Sequence, residues 1–123
     1  MSKKLITIVE DSPDQSVILQ RILYNYGYRT MPVFDGETFW REIEKAPPHL
    51  ILMDIMLPKV HGFDLLDRLK SDPIYKDIPV IMLSSLNTVE HVSRAIKNGA
   101  VDYIIKPIKS QVIAQKLKKI FQN

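Results

Sequence analysis

Leu50-Ile51-Leu52-Met53-Asp54 runs four apolar residues without a break into a carboxylate. A strand with one wet face would alternate apolar and polar residues. An unbroken run belongs to a strand covered on both faces, as in a parallel sheet packed between helices. Val80-Ile81-Met82-Leu83 has the same character, and Leu5-Ile6-Thr7-Ile8-Val9 is rich in branched residues suited to a strand. Polar residues follow each run: Glu10-Asp11-Ser12-Pro13 after the first and Ser84-Ser85 after Leu83. These three segments are expected to be the central strands of one sheet.

The intervening segments carry helical patterning. Ser12 and Pro13 suit a helix start, and that helix should run to about Tyr26 and stop at Gly27. Arg29–Phe34 reads as a strand whose Pro32 lacks a ladder donor, which places it at an edge. Gly36 to Lys45 reads as a helix ended by Pro47-Pro48, and Gly62 to Ser71 as one with Phe63, Leu66 and Leu69 on its inner face. Thr88 to Asn98 repeats Val89, Val92 and Ile96 on one expected face, with Gly99 at the C-terminal cap. Tyr103–Ile105 is the fifth strand, and Ser110–Phe121 the fifth helix, with Ile113, Leu117 and Ile120 inward. Five strands alternating with five helices predict an α/β fold. It is a single doubly wound (βα)5 domain over residues 1–123, with a parallel five-stranded sheet in the order 2-1-3-4-5.

Composition narrows the classes. At 123 residues, 46% hydrophobic and 25% charged, the chain has the makings of one globular core and not of a disordered or fibrous protein. It has no cysteine, which removes disulfide, thiolate and Cys-metal chemistry and fits a reducing compartment. The apolar runs are too short to span a bilayer, and the one after Lys3-Lys4 meets Glu10 too soon for an export signal. The chain is read as a soluble cytoplasmic protein without a membrane association. Of its 17 Lys and Arg, five are lysines in the acid-free residues 106–123, and the other 12 are outnumbered by 14 acids. A basic tail could serve a nucleic-acid binder, but it has no arginine and Phe121 is its one aromatic. Direct nucleic-acid binding by this domain is therefore not expected, and the lysines read as the wet face of the last helix.

In a doubly wound sheet, ligands bind beyond the carboxyl ends of the strands, where the strand order reverses. Glu10, Asp11, Asp54, Ser84, Ser85 and Lys106-Pro107 all follow such ends. Each has an ordinary reading alone, as a helix-start acid, a turn residue, a cap or a loop. Together they set three carboxylates, a hydroxyl and an ammonium around one crevice. Clustered carboxylates call for protons or a cation, and an all-oxygen set suits Mg²⁺ with phosphate oxygens. An aspartate beside such an ion can accept a phosphoryl group.

With Val9-Glu10-Asp11-Ser12, Leu52-Met53-Asp54-Ile55-Met56-Leu57-Pro58 with Gly62, Val80-Ile81-Met82-Leu83-Ser84 and Gly99-Ala100-Val101-Asp102-Tyr103-Ile104-Ile105-Lys106-Pro107, the chain resembles a response-regulator receiver domain of two-component signalling. The likeness extends over essentially its whole length, and the spacings from Asp54 back to Asp11 and on to Ser84 and Lys106 match the family. It implies a flavodoxin-like fold of the chemotaxis-regulator type. It implies that Asp54 accepts a phosphoryl group from a histidine kinase or a histidine phosphotransfer protein. Mg²⁺ would be held by Asp11, Asp54 and the backbone carbonyl of Met56, with Glu10 acting through water. Lys106 would contact a phosphoryl oxygen and Ser84 would be the switch hydroxyl. Tyr103 would rotate inward when that hydroxyl moves, and Pro107 would follow a cis peptide bond. The protein would be no enzyme beyond its own aspartyl phosphorylation and dephosphorylation. The face of the fourth helix, fifth strand and fifth helix would control a downstream partner or an attached output domain, a homodimer through that face included.

Departures from the commonest pattern are Glu10 in place of Asp, His61 before Gly62, apolar Met56 and Leu86 beside the site, and the Phe39-Trp40 pair. His61 is read as loop variation, and one of the two aromatics is expected to be partly exposed. A degenerate receiver used as a constitutive interaction domain is the alternative, against which the complete set of acceptor residues argues. A flavodoxin-type module would need a Ser/Thr/Gly-rich loop where the acids stand, and an aspartyl phosphohydrolase a second Asp at position 13, which is proline.

Overall fold

The computed structural model describes residues 3–57, 60–86 and 88–122. Met1, Ser2, Pro58, Lys59, Asn87 and Asn123 fall outside them, so the Pro58 part of the motif is not described. Five parallel strands, β1 (Leu5–Val9), β2 (Arg29–Val33), β3 (Leu50–Asp54), β4 (Val80–Ser84) and β5 (Asp102–Ile105), pair in the order β2-β1-β3-β4-β5. The expected order, and the edge position of the strand containing Pro32, are both found. The registers Val9↔Met53, Asp54↔Leu83 and Ser84↔Ile105 bring the carboxyl ends of the inner strands level along one rim.

Alternation within the buried strands sends side chains to two separate cores. Ile6, Ile8, Leu50, Leu52, Ile81 and Leu83 pack against Leu19 and Leu23 of α1 (Pro13–Asn25) and against Ile113 and Leu117 of α5 (Ser110–Phe121). Val9, Ile51, Met53, Val80 and Met82 face the other way. They meet Phe39 and Ile43 of α2 (Gly36–Lys45), Phe63, Leu66 and Leu69 of α3 (Gly62–Ser71) and Ala95 of α4 (Val89–Lys97). Phe39 is fully buried and Trp40 half-buried, its ring covered by the Arg68 guanidinium at 4.5 Å.

Helix ends follow local chemistry. Ser12, Asp35, His61 and Thr88 each accept a backbone N–H of the first turn of α1, α2, α3 and α4. Gly27 and Gly99, at φ +90° and +111°, take the left-handed turn after α1 and α4.

One expectation needs correction. Val89 and Ile96 do not point inward; they are 79% and 47% exposed, and the inner positions of α4 are Ala95 and Val92. Residues 89 and 96 lie about a quarter turn away from 92 and 95 on a 3.6-residue helix. The small Ala95 lets the helix settle against β4 and β5 on that side instead. Ile120 faces inward as expected, half-buried against the core at the open end of the α5 stripe.

Candidate functional site

The level rim of strand ends is where the expected residues meet. The Glu10 N–H donates to the Val33 carbonyl at 3.0 Å, extending the β1–β2 ladder and turning the Glu10 side chain inward to 1% exposure. Its Oε2 accepts the Ser12 N–H at 3.2 Å and its Oε1 accepts from Lys106 Nζ at 2.7 Å. Asp11, one residue on, is exposed. Asp54 closes β3 at 5% exposure; its Oδ1 accepts the Met56 N–H at 3.0 Å and its Oδ2 accepts from Lys106 Nζ at 2.7 Å. Lys106 is itself held by its N–H donating to the Ser84 carbonyl at 2.9 Å, and its bond to Pro107 is cis.

Gly62 explains how α3 comes so close beneath the end of β3. Its N–H donates to the Ile55 carbonyl at 2.7 Å, and a Cβ there would collide with the Asp54 carbonyl oxygen and with Ile55 Cα. Glycine is required at this approach because no side chain fits.

The electrostatics follow from burial. Burial raises the Glu10 carboxyl above its usual range, the hydrogen bond from Lys106 partly offsets this, and the Asp54 charge raises it further. Burial alone would lower Lys106, but its hydrogen bonds to Asp54 and Glu10 outweigh that and raise it, so the ammonium stays charged. Glu10, Asp11 and Asp54 each bring one carboxylate oxygen within 4.8 Å of the other two. One ammonium against three carboxylates leaves the cluster negative, and its donors are all oxygen with one residue open to solvent. That set fits a hard divalent cation that keeps part of its water shell.

Ser84 ends β4 at 1% exposure, its Oγ accepting the Leu86 N–H at 3.0 Å. Tyr103 differs from the expected outward ring awaiting a trigger. It is already inward at 7% exposure, and its hydroxyl donates to the Leu86 carbonyl at 2.7 Å. Burial raises this phenol. With Ser84 turned toward Leu86, the space below the loop is open to the ring.

Above these polar groups lies a cleft of about 590 Å³. Asp54, Ser84, Ser85 and Lys106 form its floor, and Gln15, Ile18, Met56, Pro107 and Ile108 much of its wall. Sequence reasoning found the floor and missed Gln15, Ile18 and Ile108. The available signal was Ile18, an apolar residue outside the Leu19/Leu23 stripe of α1 and 54% exposed. His61 caps α3 by accepting the Phe63 N–H at 3.2 Å and stacks on the Phe63 ring at 5.3 Å, a structural task.

Comparison with known proteins gives a consistent result. Residues 6–118 match the family described as response regulator receiver domain. A 3',5'-cyclic-nucleotide phosphodiesterase, regA, of Dictyostelium discoideum is 33% identical over 99% of this chain but only 16% of its own length. Two further curated relatives are matched over 18% and 28% of theirs, so the chain spans a minor part of these proteins. The signal receiver domain of a signal transduction histidine kinase from Syntrophus aciditrophicus is 38% identical, with a TM-score of 0.86 over 95% of this chain and 89% of that one. The receiver domain of a sensor histidine kinase from Pseudomonas aeruginosa PAO1 has a magnesium ion coordinated in its active site cleft. It is 26% identical, with a TM-score of 0.86 over 96% of this chain and 97% of that one.

Proposed function

This chain belongs to the family of response regulator receiver domains, and on that premise we propose that it is a phosphorylation switch with Asp54 as the acceptor. A phosphohistidine of a histidine kinase or histidine phosphotransfer protein is the donor. The P–N bond breaks with its electron pair returning to the imidazole, and a P–O bond forms to an Asp54 carboxylate oxygen. The observation that carries this reading is the clamp on Asp54. One oxygen is tied to Lys106 Nζ and the other to the Met56 N–H, which fixes the carboxylate at the cleft floor.

Lys106 is placed to meet the negative charge that the transferred group brings, and Ser84 lies on the same floor to donate to a phosphoryl oxygen. Mg²⁺ held by Asp11, Asp54 and the Met56 carbonyl, with Glu10 through water, would supply charge neutralisation of the phosphoryl oxygens. The change would be read out by the face of α4, β5 and α5, to a partner or output domain. Acetyl phosphate with Mg²⁺ should add the mass of one phosphoryl group to the chain and none to Asp54→Ala. Labelling that persists in that variant would defeat the assignment.

A second reading, a receiver that presents its active face constitutively, is favoured by the inward Tyr103. Hydrogen exchange across residues 88–106 with and without beryllofluoride separates the two. A phosphorylation switch changes protection there, and a constitutive module does not.

A further inference from the structure

The charges of this chain are sorted by the sheet. Residues 3–9, 15–34 and 103–122 contain no acid, and they build β1, nearly all of α1, β2 and α5. Apart from Asp14 in the first turn of α1, at the cleft end, the acids of the helices lie elsewhere: Glu37, Glu42 and Glu44 on α2, Asp64 and Asp67 on α3, Glu90 on α4. Beyond that first turn the α1/α5 side has, among the described residues, a basic surface without acids of its own; Asp102, just outside it, is engaged by Lys116 at 2.9 Å.

At the end of this surface away from the cleft, the fold gathers aromatic rings that are far apart in sequence. Lys3 Nζ sits 5.7 Å over the Tyr24 ring and Lys4 Nζ 5.7 Å over the Phe121 ring. Phe121 lies 5.7 Å from Tyr28, and the Arg29 side chain donates to the Lys3 carbonyl at 3.4 Å. Tyr24 and Tyr26 are 71% and 49% exposed. Two grooves open here. One, about 500 Å³, runs between Tyr26, Tyr28, Gln111, Gln115 and Lys118; the other, about 470 Å³, between Arg21, Tyr24, Gln20 and Asn25.

We propose that this α1/α5 surface binds single-stranded nucleic acid, its bases stacking on Tyr24 and Tyr26 and its phosphates meeting Lys3, Lys4, Arg21, Arg29 and Lys118. Exposed rings interleaved with cations and side-chain amides are what a sequence-tolerant single-strand platform requires. Compensation of the helix dipole accounts for Lys118 and Lys119 in the last turn of α5, but not for Lys3, Lys4, Arg21 or Arg29. A membrane would call for several bulky apolar residues free to insert; the two grooves offer one, Val17 at 48% exposure, whereas Phe121 and Tyr28 are half-buried against each other. The opposite expectation, drawn from the tail alone, counted the aromatics of one helix. The fold adds those that end α1 and begin β2.

The surface is also well removed from the phosphoacceptor. Tyr24 lies twelve residues past Ser12 along α1, about 18 Å at the helical rise. Fluorescence anisotropy with labelled short thymidylate and uridylate strands tests the proposal independently of phosphorylation. Binding should weaken about 100-fold between about 50 and 200 mM salt, as for about five phosphates neutralised. Tyr24→Ala/Tyr26→Ala should weaken it by about 20-fold or more with unchanged circular dichroism, and Tyr24→Phe/Tyr26→Phe should retain it. Arg21→Glu/Arg29→Glu should abolish it. The proposal is overturned by no binding at low salt, by equal binding of the double alanine variant, or by equal affinity for duplex. Equally effective competition by polyglutamate, or a tyrosine-dependent preference for phosphatidylserine vesicles, overturns it in favour of an acidic protein or a lipid surface.

Discussion

Lys106 is the residue on which the resting state of the site turns, because among the described residues it is the one cation paired with two buried carboxylates, Glu10 and Asp54. Lys106→Met leaves those like charges facing each other, and metal-free stability should drop by about 3 kcal/mol at neutral pH. Its pH signature has a definite sign. A lysine raised on folding stabilises fully below its unfolded value of 10.5 and loses that contribution as pH rises through the folded value. Wild type should therefore lose stability above that pH more steeply than the methionine variant in urea titrations; parallel curves would count against the clamp. Gly62→Ala should cost about 2 kcal/mol or more, since the added methyl meets backbone of Asp54 and Ile55 that cannot move aside cheaply. Asp54, Glu10 and Lys106 were legible as candidate site residues because each ends or follows a strand. That one ammonium would bridge both acids was not legible, since Lys106 and Glu10 lie 96 residues apart.

Among the elements, the strands were readable from their unbroken apolar runs, and the helices from capping residues such as Ser12 and Thr88. The orientation of α4 was not readable. Val89 and Ile96 form one apolar stripe and Val92 and Ala95 another. Periodicity weights the larger side chains, whereas the packing against β4 and β5 selects the smaller. Denaturant unfolding should make the distinction visible. Ala95→Leu should cost about 1–3 kcal/mol by overpacking, while Val89→Ser and Ile96→Ser should each stay within about 0.5 kcal/mol. A large loss from either serine variant would mean that the stripe is covered after all. The buried Tyr103 was missed for a related reason, because sequence carries a residue's type but not which of two rotamers the loop around Leu86 accommodates.

For the molecule as a whole, cation binding should appear as stability. At Mg²⁺ about ten times its Kd, folding gains about 1.4 kcal/mol, a rise of about 5 °C in Tm, through binding to the native state alone. Asp11→Ala should remove that rise, and an unchanged shift would take Asp11 out of the ligand set. If Asp54 is the acceptor as proposed, the lifetime of its phosphoryl group is also set by the assembled cleft. Met56, 57% exposed beside Asp54, and half-buried Leu86 offer an attacking water no hydrogen bond. Phosphate release should accordingly be faster in Met56→Asn/Leu86→Glu than in wild type, and an equal or slower rate would refute the obstruction. The strand order has a temporal consequence. β1 is the earliest strand in the chain, yet it lies inside the sheet, paired on both sides by the next two, while β4 and β5 add outward one at a time. Assembly can thus proceed in the direction of synthesis, each late strand finding an edge already laid down by its predecessor, with short loop closures at every step. Pulse-labelled amides of residues 5–9 and 50–54 should become protected before those of 102–105. The part of the molecule that completes last would then be the flank of α4 and β5 through which its signal is expected to leave.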